Sequence, residues 1–153
     1  MKTALFPGSF DPFTLGHVDI VKRALPLFDK IVIGIGTNSA KNYLFDLAQR
    51  KAWIAEIFKD HPKVEINTFE GLTVDFCKEI GAKYIVRGLR NSSDFDFEKN
   101  IAQLNKSMMN ELETVFILSE PALSHISSTI VREIIKYKGD ASAFLPKEIL
   151  KDL

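Results

Sequence analysis

The chain has a single cysteine, Cys77, in 153 residues. That excludes an internal disulfide framework and suits a reducing compartment. No apolar run approaches the ~20 residues that a membrane-spanning helix needs. Lys2 is not followed by a long apolar region with a small-residue cleavage site, so no secretory leader is expected. Twenty basic residues balance twenty acidic ones, so no net field draws the chain to nucleic acid or to an anionic membrane. A cytoplasmic protein is the expectation.

Common chemical signatures are missing as well. There is no Gly-x4-Gly-Lys-Ser/Thr loop, and Gly34-Ile35-Gly36 lacks the third glycine of a dinucleotide fingerprint. No serine stands in a glycine-flanked elbow, and Cys77 has no evident base. Its neighbours Phe76 and Ile80 put Cys77 on a helix face, as a buried small hydrophobe. His61 and His125 lack companions at metal-ligand spacing, so no protein-held metal is expected.

What is present is a core-forming pattern. The apolar fraction is 46%, and the length suits one domain spanning 1–153. Short apolar runs at Thr3–Phe6, Ile31–Ile35, Val64–Phe69, Lys83–Val86 and Thr114–Leu118 predict strands. Between them the apolar spacing becomes helical. Val18, Val21, Leu25 and Phe28 form one stripe. Leu47, Ile54 and Phe58 form a buried stripe behind an Asp46 N-cap, with Gln49 three residues on. Leu72, Phe76 and Ile80 repeat next, then Phe97, Ile101, Leu104 and Met108. Ile130, Val131, Ile134 and Ile135 make the last helical face, with Gly139 as its expected stop. The tail from Ala141 holds Pro146 and a short final helix.

Strand alternating with helix five times predicts an α/β fold. The expected form is a single-domain, Rossmann-like, five-stranded parallel sheet with helices on both faces. Ligands of such sheets bind outside the carboxyl ends of the strands, so the residues after each run matter most. They are Ser9, Gly16 and His17; then Gly34, Gly36, Thr37, Asn38 and Lys41; then Gly71, Leu72 and Thr73. Next come Arg87-Gly88-Leu89-Arg90 with Glu98, and finally Ser124-His125-Ile126-Ser127-Ser128-Thr129 with Arg132. Cations and hydroxyls converge there with few carboxylates. Guanidinium forks, a lysine point charge and a helix start opened by Ser-Ser-Thr all favour phosphate. The first run ends in Pro7-Gly8, a turn-rich segment follows it, and Asp11 there reads as an Asx-turn residue.

These residues also carry a resemblance. Gly8-Ser9-Phe10-Asp11-Pro12-Phe13-Thr14-Leu15-Gly16-His17 is similar to the Thr-x-Gly-His form of the nucleotidylyltransferase signature. Ile126-Ser127-Ser128-Thr129-Ile130-Val131-Arg132 is similar to its second motif. With Arg87-Gly88-Leu89-Arg90 and the length, the chain resembles the bacterial phosphopantetheine adenylyltransferases. The resemblance implies transfer of the adenylyl group of ATP to 4′-phosphopantetheine, the penultimate step of coenzyme A synthesis. It implies direct attack on the α-phosphate, with no covalent enzyme intermediate.

Carried over position by position, His17 and Lys41 would stabilise charge on the α-phosphate, and Ser9 would orient the attacking phosphate. Ser9, Lys41, Thr73 and Arg87 would hold phosphopantetheine. Ser9, Phe10, His17, Gly88, Leu89, Arg90 and Glu98 would bind ATP, with Leu123, Ser124, His125, Ile126, Ser127, Ser128 and Thr129. The resemblance further implies Mg²⁺ carried by ATP, feedback inhibition by coenzyme A, and a homohexamer. Ser9 stands where some relatives have Thr, Leu123 where some have an aromatic, and Ala48-Gln49 where Glu-Glu is common. Two alternatives share the fold. One is a nucleotidylyltransferase for nicotinamide mononucleotide or glycerol phosphate, although such relatives usually show His-x-Gly-His where this chain has Thr14. The other is a domain that binds ATP without turnover.

Overall fold

The computed structural model describes all 153 residues. Every apolar run becomes a strand: β1 (Thr3–Gly8), β2 (Lys30–Thr37), β3 (Val64–Glu70), β4 (Tyr84–Leu89) and β5 (Glu113–Leu118). Between and after them run α1 (Leu15–Ala24), α2 (Leu47–Ile57), α3 (Thr73–Ile80), α4 (Ser92–Met108), α5 (Ser128–Lys136) and the short α6 (Lys147–Leu150). The strands form one parallel sheet in the order β3-β2-β1-β4-β5. No helix is long and apolar enough to cross a membrane.

Side chains alternate across a strand, and the two faces of this sheet bury separate clusters. Ala4, Phe6, Ile31, Ile33 and Ile35 pack with α1, α2, α5 and α6. Leu5, Val32 and Ile85 pack on the other face with Val74, Phe76 and Cys77 of α3. Cys77 is fully buried, and burial pushes its thiol up to about 11, so it is an inert core residue. Helices on both faces of a parallel sheet are therefore observed as expected.

Strand order reverses between β1 and β4, and there the ladder parts. Only Ala4 with Tyr84 and Leu5 with Ile85 pair across that seam, whereas β1 stays paired with β2 up to Gly8 and Ile35. The carboxyl halves of β1 and β4 splay and leave a crevice at the topological switch point.

Several local expectations change. β1 extends two residues past the expected run and ends at Pro7-Gly8. The Pro7 carbonyl faces the seam, where its missing N–H forfeits no bond to β4. Gly34, Gly36, Thr37 and Arg87-Gly88-Leu89 lie in strands, not after them. Lys138, not Gly139, takes the left-handed conformation beyond α5, with φ 59°. Ile130 of the expected α5 face is exposed, as is Leu72 before α3. The largest difference is α4: Phe97, Ile101, Leu104 and Met108 are all exposed to solvent, because the helix packs on β4, β5 and α3 and no other element of the chain covers this face.

Candidate active site

The β1–α1 connection builds the first part of the site. Thr14 caps α1 in a capping box whose third residue is His17 instead of the usual Glu or Gln. The Thr14 N–H donates to His17 Nδ1 at 2.9 Å, and the Thr14 hydroxyl lies 3.2 Å from the same nitrogen. With Nδ1 accepting, the neutral ring carries its proton on Nε2, turned away from the cap. The rings of Phe10 and Phe13 stand 5.1 Å from the imidazole and that of Phe6 6.2 Å. This apolar cage, with Arg87 and Arg90 nearby, pushes the His17 pKa down to about 3. At neutral pH His17 is an oriented, uncharged N–H donor.

Phe10 sits at φ 51°, a strained backbone for a bulky residue. It is held there by packing, since its ring lies where a Cβ on Gly8 would stand, 2.8 Å away. Asp11 makes no local Asx-turn. Its buried carboxylate accepts the N–H of Leu44 at 2.8 Å and of Phe45 at 2.9 Å, tying the β1–α1 loop to the β2–α2 loop.

Arg87 projects from β4 into the crevice. Its Nε and Nη2 fork onto the Glu98 carboxylate of α4 at 3.0 and 2.7 Å, and its Nη1 donates to the Pro7 carbonyl at 2.6 Å. Three of five N–H groups are thus used, leaving two for a ligand. Arg90 is held likewise by Asp94, at 3.0 and 3.2 Å. The site therefore holds more carboxylate than the loops alone implied, and both arginines are partly neutralised.

Two cavities of about 330 and 290 Å³ meet at Pro7, Gly8, Ser9, Arg87 and Glu98. The first is lined by Lys41, Tyr43, Thr73 and Phe69, with Phe97, Ile101 and Asn105 of α4 as a wall. The second is lined by Phe10, His17, Gly88 and Arg90 on one side and by Leu123, Ile126, Ser127, Ser128 and Arg132 on the other.

All four positions expected for phosphopantetheine therefore share the first cavity, and most of those expected for ATP share the second. Four expected residues do not line it. Leu89 is buried in the sheet. The Ser124 hydroxyl donates to the Pro121 carbonyl at 3.1 Å. His125 is exposed, with its ring edge toward Phe144. The Thr129 hydroxyl accepts from Arg132 Nη2 at 3.2 Å. Ser127 caps α5 by accepting the Ile130 N–H, and the Ser128 hydroxyl donates to the Pro12 carbonyl at 2.8 Å. Both hydroxyls are thus already engaged.

Sequence reasoning missed the contribution of α2. Arg50 is buried, and its guanidinium donates to the carbonyls of Phe45 and Ser9. The available signal was its position, three residues after Leu47 and four before Ile54, on the apolar stripe of α2.

A parallel sheet opening at its switch point, with cations, hydroxyls and a helix start around the crevice, defines a nucleotide-handling protein. Residues 5–134 match the cytidylyltransferase-like family model. The structure also superposes on a bifunctional NMN adenylyltransferase/ADP ribose pyrophosphatase from Francisella tularensis, with a TM-score of 0.73 at 18% identity. That similarity covers 94% of this chain and 44% of the longer one, and it speaks to the fold alone.

Closer relatives narrow the assignment. The phosphopantetheine adenylyltransferase of Flavobacterium psychrophilum is 52% identical over 97% of this chain and 98% of its own. That of Cytophaga hutchinsonii is 51% identical over 97% and 99%. That of Bacteroides thetaiotaomicron is 44% identical over 96% and 97%. The chain belongs to the phosphopantetheine adenylyltransferase family, within the cytidylyltransferase-like nucleotidyltransferases.

Proposed function

We propose that this enzyme transfers the adenylyl group of ATP to 4′-phosphopantetheine by in-line displacement, giving dephospho-coenzyme A and pyrophosphate. A phosphate oxygen of the acceptor attacks the α-phosphorus; the bond from that phosphorus to the bridging oxygen breaks, and pyrophosphate leaves with the electron pair. The observation that supports this is the pair of cavities meeting at Ser9 and Arg87. Two substrates held one on each side would bring acceptor phosphate and α-phosphate together there, and proximity with fixed charge is most of what phosphoryl chemistry requires.

In this reading ATP occupies the second cavity, with Arg90, Glu98 and the start of α5 around it. His17 donates Nε2–H to the α-phosphate as negative charge grows, and Lys41 adds a positive charge from the opposite side. Phosphopantetheine occupies the first cavity, its phosphate at Ser9 and Arg87, its arm beside Thr73 and the apolar wall of α4. Magnesium travels with the nucleotide. Asp11, Asp94 and Glu98 are already engaged with backbone amides or arginines, while the remaining donors suit phosphate oxygens. Water around the ion would supply its other ligands.

We also propose that the enzyme is cytoplasmic, assembles as a homohexamer and is inhibited by coenzyme A, which carries the same pantetheine arm. The exposed Phe97, Ile101, Leu104 and Met108 support self-association, because a lone surface helix rarely carries so many apolar side chains. Sedimentation of the wild type and of Leu104→Glu tests it: a wild type that is already monomeric overturns the hexamer.

The decisive assay mixes purified enzyme, Mg-ATP and 4′-phosphopantetheine and measures pyrophosphate and dephospho-coenzyme A. Acceptor-dependent release supports the reading. Binding of ATP without release, or turnover only with nicotinamide mononucleotide or with CTP and glycerol phosphate, overturns it. With ATP chiral at the α-phosphorus, a single in-line displacement inverts configuration; retention overturns the direct attack.

A further inference from the structure

Arg50 is 2% exposed and among the largest fully buried side chains of the protein. Its contacts are all uncharged. Nε donates to the Phe45 carbonyl at 3.0 Å, Nη1 donates to the Ser9 carbonyl at 2.7 Å, and the guanidinium carbon lies 4.2 Å from the centre of the Tyr43 ring. Burying a cation without a counter-ion is unfavourable, and an apolar side chain of similar volume often serves stability as well or better. Packing alone therefore gives no reason for arginine at this position. What its planar fork does is fix two backbone carbonyls and one ring relative to each other.

Those contacts lead to Lys41. The Tyr43 hydroxyl accepts the Asn38 N–H at 3.1 Å, and the Asn38 carbonyl accepts the Lys41 N–H at 3.0 Å. Asp11 grips the same loop from the other side through the N–H groups of Leu44 and Phe45. The Phe45 residue is thus held at its N–H by Asp11 and at its carbonyl by Arg50. The same guanidinium also holds Ser9.

We infer that Arg50 is a positioning residue for the transfer, setting the distance between the Lys41 loop and Ser9 across the mouth of the site. This rests on the roles proposed above for Lys41 and Ser9. Because what Arg50 sets is the placement of Lys41 relative to Ser9, its effect on turnover is predicted to need Lys41 present.

The test is Arg50→Met, alone and combined with Lys41→Ala, with hydrogen exchange over residues 38–46 measured in the absence of substrate. Arg50→Met is expected to speed exchange at Leu44 and Phe45 while leaving α5 unchanged. Its kcat should fall about tenfold to thirtyfold with the KM for ATP within about twofold, since a small misplacement is enough. On the Lys41→Ala background the same change should cost less than about twofold. Arg50→Lys, which keeps the charge and loses the fork, should behave like Arg50→Met. Equal losses with and without Lys41, or unaltered exchange in the loop, overturn the inference. Should Arg50→Met fail to fold, Tyr43→Leu asks the same question, with a loss of about threefold that vanishes on the Lys41→Ala background. A wild type inactive on this substrate pair overturns the functional reading instead, and the exchange comparison still decides whether Arg50 holds the loop.

Discussion

The two cavities flanking the Arg87–Glu98 pair are furnished differently. Around the second, the polar groups are fixed before any ligand arrives: Arg90 by Asp94, His17 by the Thr14 cap, Ser127 and Ser128 by α5 and Pro12. Around the first, Lys41 extends from an exposed loop, and the apolar wall of α4 faces solvent. Donors already aimed need no reorganisation when charge develops. The Lys41 side chain and the exposed wall of α4 are not fixed in this way. Arg50 and Asp11 join the two regimes by holding the Lys41 loop against the β1–α1 loop.

The largest expected effect tests the prearranged side. His17→Ala should lower kcat by about 10²- to 10³-fold with the KM for ATP changed less than about threefold, the signature of a donor used in the transition state. Steady-state kinetics checks it, and a collapse of ATP affinity with kcat intact would reverse the role given to His17. Arg87→Ala tests the boundary. It should raise the KM for the acceptor more than that for ATP, and it strands a nearly buried Glu98 carboxylate. Loss of stability should be about 2 kcal/mol, below the range for a fully buried pair because Arg87 is partly exposed. Adding Glu98→Gln should restore part of the melting temperature.

A smaller effect is expected at the cap. Thr14→Val removes the hydroxyl that accepts the His17 N–H and should cost about 1 kcal/mol by denaturant unfolding. His17 Nδ1 keeps its bond from the backbone N–H of residue 14, so kcat should fall far less than in His17→Ala.

The smallest expected signal is an absence. With its pKa lowered from 6.5 to about 3, His17 in the free enzyme should show no imidazole titration by NMR between pH 8 and about 5. The sign for stability follows. The neutral form is favoured in the fold, so the contribution is complete above pH 6.5 and is lost as pH falls toward 3. His17→Gln should lack that part of the acid slope. A His17 resonance titrating near 6.5 would mean that the aromatic cage is open in solution.

Much of this site was legible because its chemistry is local. Thr14-x-Gly16-His17 is one helix start, Arg87-Gly88-Leu89-Arg90 one strand end and Ser127-Ser128 another helix start, and spacing alone places each at the carboxyl edge of a parallel sheet. What was not legible is long-range. The Asp11 carboxylate bonds residues more than thirty positions away, and Arg50 reaches Ser9 across 41 residues. The α4 stripe had a clear helical period, but period says only that residues share a face, not that anything lies against it.

The amino-acid sequence alone determined the alternation of strands and helices, the sheet they form and the motifs at its edge, because hydrophobic period and turn chemistry act between near neighbours. Tertiary structure alone decided that His17 is uncharged, that Arg87 and Arg90 already grip carboxylates, and that β1 and β4 part after two pairs. Those outcomes depend on desolvation and on distances between segments far apart in the chain, which exist only once the sheet has closed around them.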